Sequence, residues 1–296
     1  MTMTMGMTMT KPQNFDDWLG RTHAPVVDTI TPRLLAEYQA TLGDFLGDFL
    51  FDTSPHVPLG VHWCLAPDII GGDGLGGDGH PKRGTFIPPL PLPRRMWAGG
   101  SVTFRTPFTP GEEVEKTTKV TGIDWKEGKS GQLCFITLQH RYRGKQGGAI
   151  DETQVVVYRE AATKPTAMPK PTPAPKLEAS NEFATDPVLL FRYSAMTFNG
   201  HRIHYDRPYA ETVEFYPNLL IHAPLQATLL LNFAAQGRGE MPRYFRYRGV
   251  APALCGQTLT IGKTSDDKDG AMEVVVVDEG GGVTMHGTVA WHDTTN

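Results

Sequence analysis

The 296-residue sequence predicts an α+β fold made twice over, each half a helix followed by an antiparallel meander. Three observations carry this. The segment TKPTAMPKPTPAP, 163–175, holds five prolines and almost no large apolar side chain, so it stays extended and marks a boundary. Each half sets a helical candidate ahead of runs rich in β-formers. A short element also recurs: RTPFTPGEEV (105–114) and VAPALCGQTL (250–259) share Pro, then Gly four residues on, then an aliphatic residue three further.

The elements follow in chain order. Residues 1–14 begin with MTMTMGMTMT, a low-complexity run without the basic and apolar regions of a signal peptide, and are expected to be a disordered tail. ITPRLLAEYQATLGDFL, 30–46, is the first helical candidate. GGDGLGGDG, 71–79, formally contains GxGxxG at Gly72, Gly74 and Gly77. A dinucleotide motif needs a buried strand before it and a helix after it. Here Pro67 and Asp68 precede, GHPKRG follows, and Asp73 and Asp78 would repel phosphate, so the stretch reads as a flexible loop. CFITLQHRYR (134–143) and ETQVVVYRE (152–160) read as strands, and a first domain is expected over 15–162.

After a linker over 163–179, a second domain is expected over 180–296. Its helical candidate is 222–236, within LLIHAPLQATLLLNFAA (219–235). That stretch contains His222, Pro224, Gln226 and Asn232, too polar and too short for a bilayer, and reads as a helix buried in protein. MEVVVVDE (272–279) and GVTMHGTVAWH (282–292) read as strands.

Composition narrows the function. Apolar residues make up 40% of the chain, enough for real cores, and 28 basic against 32 acidic residues leave a net charge of -4, which argues against a nucleic-acid partner. Cys64, Cys134 and Cys255 are odd in number and far apart, which fits a reducing compartment, and a cytoplasmic location is expected. Cys255 itself reads as a small buried apolar residue.

The stretch richest in proton-moving groups is FRYSAMTFNGHRIHYDRPYA, 191–210, with Asn199, His201, His204 and Asp206. No HExxH or CxxC supplies further ligands, so no metal is expected. No GxSxG surrounds Ser194, so a serine nucleophile is not expected either. A histidine near neutral pKa takes and gives protons. An amide beside it orients water or a substrate oxygen but is no base. General acid–base chemistry is therefore one reading; a surface turn with two solvated histidines is the other.

Tyr193, Met196, Thr197, Phe198, Asn199, Gly200, His201, Arg202, Ile203 and His204 stand, position by position, against the hydratase pattern Tyr, aliphatic, Ser/Thr, Gly, Asp, any, Asn, Pro, aliphatic, His. YSAMTFNGHRIHYD thereby resembles the MaoC-like hot-dog hydratase/dehydratase family. It is most similar to its branch of mesaconyl-C4-CoA (itaconyl-CoA) hydratases and type 2 3-hydroxyacyl-thioester dehydratases. IPPLPLPRRMWAGGSVTF (87–104), PFTPGEEV (107–114) and KEGKSGQLCFITLQHRY (126–142) resemble the degenerate domain that precedes the active one in this branch.

The resemblance covers most of 15–292 and implies a double hot-dog, two antiparallel sheets each wrapped around a central helix. The second half's central helix is then 222–236, the first half's a shorter counterpart within 56–72, and 30–46 is an extra helix. It departs from the wider family where Asn199 stands for the usual Asp and His201 for the usual Asn, and His204 is retained.

The resemblance implies reversible addition of water to an enoyl-CoA thioester, with mesaconyl-C4-CoA to citramalyl-CoA the best-fitting pair and no cofactor. A 3-hydroxyacyl-thioester dehydratase of fatty-acid metabolism is the alternative, and a non-catalytic acyl-CoA-binding hot-dog protein a further one. A thioesterase would need a carboxylate where Asn199 stands. By the same resemblance, His204 is the acid–base group, Asn199 holds water, and the Ala223 N–H binds the thioester oxygen. His201, Arg202, Asp206, His222 and Tyr193 are expected as supporting or substrate-binding residues, with Asp206 orienting an imidazole and Arg202 meeting a substrate carboxylate. Arg94, Arg95, Arg243, Arg246 and Arg248 are candidates for the CoA phosphates. The expected partner is a small CoA thioester, not a membrane, and the chain is expected to form a homodimer or higher homo-oligomer.

Overall fold

The computed structural model describes residues 14–46, 57–128, 131–164, 168, 172–266 and 270–292. Most of the expected tail and part of the linker lie outside them. Among the described residues, ten strands run in one antiparallel path and an eleventh pairs with Gly282 and Val283, the first residues of the strand Gly282–Ala290, ahead of where the strand Tyr244–Gly249 joins it. The first half contributes β1 (Val26–Thr29), β2 (Arg94–Thr106), β3 (Glu113–Gly128), β4 (Gly131–Gly144) and β5 (Ala149–Arg159). The second contributes β6 (Thr172–Pro173), β7 (Ala179–Ala184), β8 (Tyr244–Gly249), β9 (Thr258–Asp266), β10 (Met272–Val277) and β11 (Gly282–Ala290).

The order β1-β3-β4-β5-β2-β8-β11-β10-β9-β7 reads the same from either end once the halves are matched. The two sheets join where β2 pairs antiparallel with β8, from Gly99↔Arg248 to Thr103↔Tyr244. The recurring Pro–Gly element falls at equivalent places, ahead of β3 and ahead of β9. This is the double hot-dog.

The helices are unequal. In the second half α4 (Ala223–Arg238) is buried without a break from Leu225 to Ala235 and packs on β9, β10 and β11. A helix apolar on all sides must lie inside the protein. Pro224 suits its first turn, where an amide hydrogen would go unused, and Gly239 ends it at φ 70. Two of its polar side chains bond across the fold: Asn232 Nδ2 donates to Leu59 O at 3.0 Å, and Thr284 Oγ1 donates to Gln226 Oε1 at 2.7 Å.

In the first half the counterpart is one 3-10 turn, Val61–Cys64, preceded by Gly60 at φ 92. Pro58 and Pro67 flank it and leave no length for more. The extra helix α1 (Pro32–Leu46) packs instead on α4 and on α2 (Pro187–Met196). No helix among the described residues is long and apolar enough to cross a membrane.

Candidate active site

The motif lies where α2 ends. Asp186 caps the start of α2, accepting from Leu189 N–H at 2.7 Å. At the other end Phe198 N–H donates to Ala195 O and Asn199 N–H to Ser194 O, the paired bonds of a Schellman close. The left-handed residue is Phe198, φ 50, where glycine is usual. Side chains visit that region at a cost of about 1–2 kcal/mol. The strain turns the chain sharply into Asn199, whose Oδ1 accepts the His201 N–H at 3.0 Å. One lone pair of the Asn199 carbonyl is thus used by the turn, and the other lone pair and the NH₂ remain to meet a ligand.

Residues Arg202–His204 form a 3-10 turn, and α3 (Arg207–Thr212) follows. His204 is buried, and its Nδ1 lies 2.8 Å from Leu220 O. A carbonyl only accepts, so Nδ1 carries the hydrogen and Nε2 the lone pair. The ring stacks on His222 at 3.7 Å and meets the edge of His201 at 5.4 Å. His222 is the residue before α4 begins and lies 2.8 Å from Ser194 Oγ through Nε2; Tyr193 is buried with its ring 5.0 Å away. Ala223 opens the helix, so its N–H is among the first-turn donors without an intrahelical partner; Pro224 has none.

Two expectations about the acid and the arginine are corrected. Asp206 orients no imidazole. It binds the Arg202 guanidinium at 2.8 Å and caps α3 through Tyr209 N–H at 3.1 Å. Arg202 also donates to Gly77 O at 2.9 Å and lies over the Tyr209 ring, so its charge is committed. The i,i+4 spacing of Arg202 and Asp206 was the available signal for this pair.

The glycine run is not a free loop. After a 3-10 turn at Gly72–Gly74 it docks on the motif, with Arg202 N–H donating to Asp78 O at 2.9 Å. Contact is so close that a Cβ on Gly79, φ +88, would stand 1.8 Å from Gly200 O. No strand and helix flank the run, which removes the dinucleotide reading. Docking delivers two residues the sequence reading missed. His80 sits 4.3 Å, ring to ring, from His201, and its Nδ1 lies 3.1 Å from Asp78 Oδ2. Asp78, His80 and His201 each bring a potential metal-ligand atom within 4.8 Å of the others. Asp78 Oδ2, however, already faces the His80 Nδ1 hydrogen, and Oδ1 accepts the His80 backbone N–H at 3.1 Å.

The result is a row of four imidazoles, His80, His201, His204 and His222. Burial pulls His204 down to about 4 despite the Leu220 carbonyl, and holds His201 and His222 well below the ordinary value. Burial and then Arg95 lower His80, against the pull of Asp78. At neutral pH all four are uncharged bases.

A cavity of about 860 Å³ adjoins the row. The first half opens it, because a single turn leaves the hollow of its sheet unfilled. Trp63, Lys116, His140 and Glu152 line that end; Ser194, Asn199 and Pro224 line the other. Of the row only His80 lines it. A second cleft of about 720 Å³ shares His80 and is basic, with Lys82, Arg83 and Arg95. Arg94, also there, is paired with Glu214, whereas Arg243, Arg246 and Arg248 line neither space.

Asn199→Asp should fold as the parent does, because a carboxylate accepts the His201 N–H equally well. Its charge favours imidazolium in the adjoining row, so the acid limb of kcat/KM should move to higher pH. A pH–rate profile with the limb unmoved would remove Asn199 from the neighbourhood of the reacting groups.

Residues 60–255 match the family model for hydroxyacyl-thioester dehydratase type 2. The mesaconyl-C(4)-CoA hydratase of Chloroflexus aurantiacus is 39% identical over 237 residues, 79% of this chain and 83% of that protein. The mitochondrial hydroxyacyl-thioester dehydratase type 2 of Schizosaccharomyces pombe is 28% identical over 58% of this chain and 65% of its own length. In fold, the chain is similar to a MaoC-like dehydratase from Phytophthora capsici, with a TM-score of 0.68 at 18% identity, covering 96% of this chain and 100% of that one. It is also similar to a Mycobacterium tuberculosis protein described as having a double hotdog fold, at a TM-score of 0.56 and 16% identity, covering 93% and 96%. The model match spans the docked loop, the histidine motif and α4 together, and by it the chain belongs to the hydroxyacyl-thioester dehydratase type 2 family.

Proposed function

We propose that the protein is a hydro-lyase that adds water reversibly across an enoyl-CoA thioester, with mesaconyl-C4-CoA to citramalyl-CoA as its reaction. The observation that carries this is the neutral, buried His204 stacked on His222 at the start of α4, behind a cavity of about 860 Å³ that Asn199, Pro224 and His80 line. The 39% identical relative, named for that substrate, supports the choice of thioester.

In this reading His204 Nε2 takes a proton from water as the oxygen bonds to Cβ. The electron pair of the double bond moves to the thioester oxygen, where the Ala223 N–H and the positive end of the α4 dipole stabilise it. His204 then returns the proton to Cα on the same face, and the imidazole is neutral again. The basic cleft takes the CoA phosphates, with Arg95 and Arg83 as forked donors.

A panel of enoyl-CoAs, followed by loss of enoyl absorbance, tests the reading. Mesaconyl-C4-CoA should be hydrated with a higher kcat/KM than crotonyl-CoA. The reverse order would assign the chain to the 3-hydroxyacyl-thioester dehydratases of fatty-acid metabolism, and no turnover of either would leave a binding protein.

A further inference from the structure

We infer that His80, carried in by the glycine-rich loop of the first half, is a catalytic residue that holds the attacking water opposite His204. The inference rests on the hydro-lyase reading. It starts from a shortage in the second half. Asn199 stands where the resemblance expects a carboxylate, and its Oδ1 is taken by the His201 N–H. A neutral amide oxygen that already holds one hydrogen bond is a weaker acceptor for a water hydrogen than a carboxylate. The strong, charged acceptor that would hold a water with its oxygen aimed at Cβ is therefore missing from the motif.

His80 supplies it. Its Nδ1 faces Asp78 Oδ2 at 3.1 Å, and an ionised carboxylate only accepts. The hydrogen thus sits on Nδ1, and Nε2 carries a lone pair, the same tautomer that the Leu220 carbonyl imposes on His204. His80 lies 4.3 Å, ring to ring, from His201, which in turn lies 5.4 Å from His204. It is also the member of the row that lines the cavity, and it lines the basic cleft as well, so it stands where the acyl space and the cofactor-arm space meet.

The backbone keeps it there. Arg202 ties the loop down twice, to Gly77 O and Asp78 O, and the fit of Gly79 against Gly200 leaves no room for slippage. Two lone pairs then accept the two hydrogens of one water. As the oxygen bonds to Cβ, one O–H breaks toward His204. The other stays intact on His80 and becomes the hydroxyl hydrogen of the product. No charge forms on His80, and Asp78 acts only as a positioning residue that fixes its tautomer.

The test uses the full chain and the enoyl-CoA that the wild type turns over fastest. His80→Ala should lower kcat by roughly 10²-fold, the low end for a positioned proton-relay group, with KM within about threefold. His80→Gln, which keeps bulk and has a carbonyl acceptor, should recover part of that loss. Asp78→Asn should cost roughly tenfold in kcat, because a neutral amide no longer enforces one tautomer. Thermal melts of each variant separate lost folding from lost chemistry.

A folded His80→Ala protein with the wild-type kcat, or a His80→Gln protein no faster than His80→Ala, would overturn the inference while leaving the hydratase reading in place. A loss that appears only as a rise in KM would make His80 a binding residue and would equally overturn it. Activity abolished by dialysis against a chelator and restored by zinc would overturn it too, in favour of a metal held by Asp78, His80 and His201. A wild-type protein inert on every enoyl thioester would overturn the hydratase reading itself.

Discussion

His204→Ala should lower kcat by roughly 10²–10⁴-fold while KM changes little, the signature of an interaction made in the transition state rather than in substrate binding. The ring is buried and stacked on His222, so its removal also leaves a hole. His204→Gln is the control that fills most of it, and it should be as slow as the alanine variant because an amide does not take a proton at neutral pH. The wild-type profile adds a second readout. A base must be neutral to act, and His204 is held to about 4. The acid limb of kcat/KM should therefore lie well below 6.5, with activity persisting as pH falls until it approaches that value. Turnover near the parent rate in a folded His204→Ala protein would remove His204 from the mechanism, and a limb at 6.5 would assign the base to a solvated group.

Acid should unfold the protein steeply, and buried histidines are the cause. Burial holds His62 and His140 at about 3 and His204 at about 4. In the unfolded chain each titrates near 6.5, so above that pH they contribute no pH dependence. As pH falls below about 6.5, the unfolded state takes up protons that the folded state refuses, and stability drops. Each such group costs about 1.4 kcal/mol per pH unit, so the three together cost about 4 kcal/mol per unit, until His204 protonates near 4 and the other two near 3. A total stability of about 5–10 kcal/mol would be consumed within two or three units. Glu152 works in the opposite direction, because burial raises its carboxyl. Urea unfolding at a series of pH values measures the slope, and equal stability at pH 6.5 and 4.5 would contradict it. His62 offers the sharper check. Its Nε2 has no hydrogen-bond partner and its ring sits among Trp63, Phe104 and Tyr142. His62→Phe should keep that packing and make the acid slope shallower by about 1.4 kcal/mol per unit.

Much of this was legible in the chain because it was local. The strands 134–143 and 272–279 announced themselves by runs of β-formers, and α4 by an apolar stretch with a proline where a helix begins. The repeat was legible in seven or eight residues around Gly111 and Gly256. The first half's helix was not, because its remnant is one turn closed in by Gly60, Pro58 and Pro67, too short for any periodicity. His80 was hidden for a different reason. Glycine-rich composition describes how a chain can bend, not what it touches. The bond that fixes the loop joins Arg202 to Asp78, partners far apart in sequence whose approach depends on the whole sheet.

The β2–β8 seam bears on how the molecule could be divided. A chain cut within 165–171 would yield two pieces, each with one naked edge of unpaired amides and carbonyls: β2 in the first piece, β8 in the second. Such an edge invites pairing with any strand that offers itself, and the complement it fits is the other piece. The Tyr247 ring of the second piece would then have to find its place against Gly100 of the first, where a Cβ would stand 2.7 Å from its hydroxyl. Separately made halves would thus be sticky when alone and would recover a continuous sheet only together, which makes the seam a natural site for a split reporter whose signal is reassembly.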